Sequence, residues 1–285
     1  MKQPDLIVDA QVHVWRAESP DNPWAEGGHK IAHQPEPLTY ERILGLMDAA
    51  GVTRALLVPP SWEQNRLDYS LEAAAKYPHR FAVIGRIALD DPVNSKKLIP
   101  DWKSRPGLLG IRVSFVGHRD HEWMRDGTAD WFWPEAERAD IAVMVHGPDS
   151  ITEIGAVAKR HPGLRLIIDH MGVYKLKTSD PRYAECIART VELARYPNVH
   201  VKLTSLPFYS VQAAPHADLY PYIKEVVQAY GPRRCFWGTD ISKMLPKFSY
   251  SDCIQHLLGL DFLSDDDKAQ ILGRGLVDFL AWHAS

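Results

Sequence analysis

The chain has 285 residues, with 33 Lys and Arg against 36 Asp and Glu, a formal charge of −3. That balance leaves no positive excess for a polyanion, so binding of nucleic acid or an anionic membrane through bulk charge is excluded. A hydrophobic content of 45% with 24% charged residues supports a sizeable core and excludes disordered, collagen-like and disulfide-built scaffolds.

Read in chain order, short apolar runs at 6–10, 54–58, 81–87, 109–115, 141–146, 164–170, 199–204 and 235–240 predict eight strands. Between them, helical spacing at 40–50, 67–76, 131–139, 150–159, 183–195 and 220–229 predicts helices. Pro-containing clusters such as Tyr77-Pro78, His161-Pro162-Gly163, Tyr196-Pro197 and Gly231-Pro232 end the helices, and each is followed by the next apolar run. Alternation of this kind implies a parallel sheet, and eight such units in this length predict an α/β fold of the (β/α)₈ TIM-barrel type. An open doubly wound sheet would place a Gly-rich turn after the first strand, where Gln11-Val12-His13-Val14-Trp15 stands instead.

Cys186, Cys235 and Cys253 form no Cys-x-x-Cys pair, which argues for a reducing, cytoplasmic setting. The N-terminus carries no signal-peptide core, and no run approaches a membrane span. Expected partners are a small-molecule substrate, with no nucleic acid and no membrane. A homo-oligomer is compatible with the chain.

In a barrel, chemistry gathers at the C-terminal strand ends, and the long loops at 15–38, 116–128 and 205–216 are candidates for covering that mouth. Alternation along the strands sends Asp9, Gln11 and His13 one way. His146 ends the fifth predicted strand, His170 the sixth and Asp240 the eighth. Arg112 closes the fourth, and Lys202 lies in the seventh.

Three segments, Val8-Asp9-Ala10-Gln11-Val12-His13-Val14-Trp15, Ile168-Asp169-His170-Met171-Gly172 and Phe236-Trp237-Gly238-Thr239-Asp240, together with Ile271-Leu272-Gly273-Arg274, resemble the amidohydrolase superfamily. Within it, the likeness is to the lactonase and decarboxylase branch called amidohydrolase family 2, and it spans essentially the whole chain. The resemblance implies one distorted barrel domain over residues 1–285. It also implies a divalent metal, Zn²⁺ in the first instance, on His13, His146 and Asp240, with Asp240 and His170 catalytic. Gln11 stands where the family's first histidine belongs, and a neutral amide is a weak zinc ligand. Two readings therefore stand at this point: a three-ligand metal site, or a site that works without metal.

Each residue also has a plainer reading. A strand-end histidine can be a satisfied core group, Asp240 a helix N-cap, and Arg112 or Lys202 half of an ion pair. The joint placement of His13, His146, His170 and Asp240 favours a site. His29, His33, His118 and His121 read as solvated loop residues. His79 and His161 fall on turns at the opposite barrel face and serve as controls. Trp15, Trp24, Trp62 and Trp123 sit near the strand-end loops and offer flat surfaces to a cyclic substrate.

The expected activity is hydrolysis of a small cyclic ester, a sugar-acid or aromatic-degradation lactone. Asp240 would act as base, helped by His170, with Arg112 orienting a substrate carboxylate through its planar fork and Gln11 and Lys202 contacting substrate. The alternatives are metal-dependent decarboxylation or hydration of an aromatic-pathway acid, C–N hydrolysis, and a barrel that binds without turnover.

Overall fold

The computed structural model describes residues 4–117 and 120–282, so the expectations for His118 and Arg119 lie outside the described residues. Its strands are β1 (Val8–Val12), β2 (Arg54–Leu57), β3 (Phe81–Gly85), β4 (Leu108–Ser114), β5 (Ala142–His146), β6 (Leu166–Ile168), β7 (Val199–Thr204) and β8 (Cys235–Gly238). They form a parallel sheet in the order β1 to β8, neighbour beside neighbour. The ends meet where the Thr239 N–H donates to Asp9 Oδ1 (2.9 Å) and the Asp240 N–H to the Gln11 carbonyl (3.0 Å), which brings the sheet round to a nearly closed (β/α)₈ barrel.

The outer helices are α1 (Tyr40–Ala50), α2 (Asp68–Lys76), α3 (Phe132–Arg138), α4 (Ile151–Arg160), α5 (Pro181–Glu192), α6 (Tyr220–Tyr230) and α7 (Tyr250–Leu258). The connection between β3 and β4 has only single turns such as Pro92–Ser95. Helix α7 carries its start signal in its sequence: Ser249 and Asp252 form a reciprocal capping box, and Tyr250, Cys253, Ile254 and Leu257 are buried.

Both faces of the sheet are covered, so the strands are apolar on both sides. Alternate residues separate into two layers. Ala55, Leu57, Val83, Val143 and Trp237 pack outward under the helices. Val8, Leu56, Ile84, Met144, Ile167 and Phe236 fill the interior. The C-terminal helix α9 (Gly275–Leu280), which follows α8 (Asp265–Ala269), plugs the end where the strands begin, adding Leu276, Leu280 and Trp282 to the interior layer. Arg54 and Arg165 tie it down through the carbonyls of Trp282 (2.6 Å) and Phe279 (2.7 Å). With that end closed, the opposite mouth remains for a ligand. The three cysteines are buried and unbridged. No helix among the described residues is long and apolar enough to cross a membrane.

Strict alternation fails where the site begins. The β1–β2 register shifts between Asp9 and Val12, so Ala10 belongs to the interior layer while Gln11 and His13 reach the mouth above it. Asp9 does not join them, contrary to the alternation expected from sequence. It accepts from the Thr239 and Gln11 backbones (both 2.9 Å), from the Thr239 hydroxyl and from Tyr250 Oη on α7 (2.7 Å). Burial still raises its carboxyl to about 6, against those lowering hydrogen bonds. It is the clasp of the barrel seam.

Candidate active site

A cavity of about 140 Å³ opens at the C-terminal mouth, with His13, His146, His170 and Asp240 in its wall. Three strand ends pass through left-handed backbone at non-glycine residues: His170 (φ 54) after β6 and Asp240 (φ 57) after β8, which line the cavity, and Ser205 (φ 59) after β7, which donates to Asp240. Such conformations cost about 1–2 kcal/mol per residue and cluster where a side chain must be aimed against its preference. After β6 the turn has a second effect. Asp169 and His170 are neighbours in sequence; His170 lines the cavity, and Asp169 meets Arg112 and Lys202 beside it.

Asp240 sits at the N-cap position of the one-turn helix Ile241–Met244, but its side chain makes no cap bond. Its carboxylate accepts from Ser205 Oγ at Oδ2 (3.0 Å), while Oδ1 lies 3.3 Å from His13 Nε2 and has no hydrogen-bond partner although buried. Burial would raise this carboxyl. The surrounding imidazoles, His13 first and then His170 and His33, oppose that because in their protonated form they stabilise the carboxylate, and the carboxyl is held well below the usual range.

His13 is oriented by its other nitrogen. Nδ1 lies 2.6 Å from the Val58 carbonyl, which can only accept, so the proton sits on Nδ1 and Nε2 presents a lone pair. Gln11 supports the same tautomer. Its Oε1 accepts from the Lys202 ammonium, which leaves Nε2 to donate to His13 Nε2 (3.2 Å). Lys202 is fully buried and its ammonium also forms an ion pair with Asp169 Oδ1 (2.6 Å), while Asp169 Oδ2 accepts from Arg112 Nε (2.7 Å). Burial would raise the Asp169 carboxyl, but Lys202 and Arg112 hold it ionised.

His170 Nδ1 meets Thr204 Oγ1 at 2.6 Å, and desolvation, partly countered by Asp240 and Asp169, lowers its pKa to about 3. His146 packs edge-on to His170 (5.4 Å) and to Tyr174, with its Nε2 buried and without a partner. Desolvation and then Arg112 push its pKa well down. Both rings are neutral at pH 7.

Of the residues expected from sequence, the structure brings His13, His146, His170, Asp240 and Arg112 to one cavity. Gln11 and Lys202 were expected to contact substrate. They are fully buried and outside the cavity wall, holding the residues that form it. The expected metal set included His146, but the group whose ligand atoms lie within 4.8 Å of one another is His13, His33 and Asp240. His33 is not the solvated loop residue that its sequence position suggested. The first loop folds over the mouth and anchors the ring through Ser242 Oγ (2.9 Å), edge-on to His13 (5.4 Å). Desolvation lowers its pKa to about 4. His29 and His121 are exposed as expected; His79 lies on the turn before β3, and His161 pairs with Glu137 (2.7 Å), both away from the site. Trp62 joins the cavity wall, whereas Trp15 is core.

Sequence reasoning passed over Arg86 and Lys243 in the cavity wall and Asp169 beside it. Asp169 carries no signal of its own beyond the 168–172 segment. Arg86, the first residue after β3, lines the cavity, and its signal was an arginine inside an otherwise apolar run.

The donor set fits a divalent metal. Two imidazoles and a carboxylate make a normal ligand count for catalytic zinc, His13 has its second nitrogen fixed by a carbonyl, and the Asp240 oxygen facing it is buried without a partner.

Comparison with known proteins agrees with this architecture. An L-fucono-1,5-lactonase of Burkholderia ambifaria is 28% identical, the match covering 95% of this chain and 94% of the relative. A 4-sulfomuconolactone hydrolase of Hydrogenophaga intermedia is 26% identical over 73% of this chain and 66% of its own length. A solved amidohydrolase from Burkholderia multivorans with bound zinc superposes with a TM-score of 0.80 at 22% identity, covering 97% of this chain and 99% of that one. The amidohydrolase family profile matches residues 8–274. The chain is a hydrolase belonging to the amidohydrolase family.

Proposed function

We propose that this hydrolase is a lactonase, opening a small cyclic ester by attack of water on its acyl carbon. The observation that carries this reading is the Asp240 carboxylate, ionised and buried, with one oxygen free of hydrogen bonds, in a cavity whose wall also holds the neutral His146 and His170 rings. Two relatives bearing the names of lactone-opening enzymes support it.

Asp240 accepts a proton from a water molecule held against Oδ1, and the water oxygen bonds to the lactone carbonyl carbon. Ser205 fixes the other carboxylate oxygen, so the basic lone pair keeps one direction. With the Thr204 hydroxyl donating to Nδ1, His170 carries its proton on Nε2 and donates to the oxygen on which negative charge develops. When the ring C–O bond breaks, Asp240 returns its proton to the departing alkoxide, leaving a hydroxy acid. His13, His33 and Asp240 would hold a divalent metal, which when bound supplies Lewis acidity toward a carbonyl oxygen.

The test is acid release, followed with a pH indicator, across sugar-acid lactones and unsaturated five- and six-membered lactones. Lactone-dependent acid production is expected. Carbon dioxide release from an aromatic acid without any lactone turnover would overturn the reading in favour of decarboxylation.

A further inference from the structure

The cations around the cavity outnumber the carboxylates available to them. Arg112 and Lys202 share one carboxylate, Asp169, at 2.7 and 2.6 Å, so that group leaves one positive charge uncompensated. Arg112 lines the cavity while its Nε is taken by Asp169. Arg86 lines it too, and its Nη1 is buried without a hydrogen-bond partner among the described residues. Lys243 stands at the same wall, with its charge near the Tyr174 ring (5.9 Å). The acidic groups facing Arg86 are Asp120 and Asp169, and Asp169 is already shared. Burial, with Arg112 adding to it, pushes the Arg86 guanidinium down to about 10, so it remains charged at neutral pH. A buried guanidinium nitrogen without an acceptor is costly unless a ligand supplies one.

The geometry points to an anion subsite formed by Arg86 with Arg112, so that the substrate class is lactones carrying a free acidic group, a carboxylate in the first instance, rather than neutral sugar lactones. This rests on the lactonase reading for the reaction, but not for the binding. The planar fork of an arginine matches a carboxylate in two parallel hydrogen bonds, and the neighbouring Asp240 would repel the same group, which turns the acid away from the reacting carbon. Arg86 is a specificity residue in this account. It sets which lactone is held, while Asp240 and His170 act on the ester.

The experiment has a kinetic arm and a binding arm. In the first, matched lactones bearing a carboxylate, its methyl ester or a sulfonate are compared by kcat/KM. The carboxylate is expected to exceed its methyl ester by about 100-fold. Arg86→Met should erase most of that preference, mainly through KM, and Arg86→Lys should restore part of it. In the second, calorimetry follows isophthalate, a planar dicarboxylate that cannot be hydrolysed, against isophthalamide. Isophthalate should bind wild-type protein more tightly, and lose that advantage in Arg86→Met. If no lactone is opened yet isophthalate binds through Arg86, the lactonase reading fails and the subsite stands. If methyl ester lactones are opened as well as the free acids, the subsite is wrong and the lactonase reading stands. A sulfonate preferred over the carboxylate would assign the fork to a tetrahedral anion and overturn the carboxylate assignment. If Arg86→Met does not fold, the wild-type preference between acid and methyl ester decides alone.

Discussion

Two groups of residues at the barrel mouth treat polar atoms in opposite ways. On the closed side of the network, Arg112, Asp169, Lys202 and Gln11 form a chain in which Asp169 Oδ2 accepts from Arg112 and Oδ1 lies 2.6 Å from the Lys202 ammonium. On its open side, Asp240 Oδ1 has no cation so close, with His13 Nε2 at 3.3 Å, and His146 Nε2 is buried without a hydrogen-bond partner. Unpaired buried polar atoms cost about 1–3 kcal/mol each and are retained where something else is to fill them. The closed side is a platform that fixes positions, and the open side is where water, substrate or metal completes the bonding. Activity and stability should therefore respond to different residues.

The largest expected effect is on the open side. Asp240→Asn keeps an acceptor for Ser205 but removes the base, and should lower kcat about 1000-fold or more with the melting temperature little changed. A variant with near-normal kcat would break the division. On the closed side, Asp169→Asn leaves Arg112 and Lys202 without a carboxylate and should cost about 3–5 kcal/mol of stability, read from the urea midpoint. Adding Lys202→Met should recover part of that loss. A stable Asp169→Asn protein would show that the ion chain is not a platform.

Titration of the buried groups contributes with both signs. His170 and His33 have folded pKa values of about 3 and 4 against an ordinary 6.5. The unfolded chain therefore takes up protons first, and their contribution is complete above pH 6.5 and lost as the pH falls through about 4 and then 3. Asp9, raised to about 6, works the other way and favours the folded state as the pH falls from 6 towards 4. Urea midpoints should fall from pH 7 to pH 5 in the wild type and less steeply in His170→Asn. A midpoint that does not move would contradict the neutral burial of these rings. The smallest effect concerns the metal. Calorimetry should show zinc binding by the wild-type chain, weakened at least about tenfold in His33→Ala and much less in His146→Ala. The reverse order would restore the ligand set expected from sequence.

The barrel was legible because its signals are local. The 40–50 and 199–204 predictions coincide with α1 and β7, and the alternation of apolar runs with proline-ended helices gave the strand number. The strand-end residues His13, His146, His170, Asp240 and Arg112 were legible because a barrel has one reactive rim. What escaped depended on breaks in regularity or on distance along the chain. The register shift in β1 separated Asp9 from His13, and left-handed backbone at His170 shortened β6 and delivered Asp169 as well. His33 lies on a long loop 207 positions before Asp240, and nothing local says which way that loop folds. Gln11 reads as the loss of a ligand in sequence. In the structure it is a link that holds the His13 tautomer and takes up the Lys202 ammonium.

The most direct test of Asp240 acting as base toward water is a single turnover in heavy-oxygen water, with enzyme in excess over a lactone it opens. One heavy oxygen is expected in the new carboxylate of the product and none in its hydroxyl. A product without label in that first turnover would show that the Asp240 carboxylate itself attacks the acyl carbon, and label in the hydroxyl would show that water attacks the other carbon of the ester.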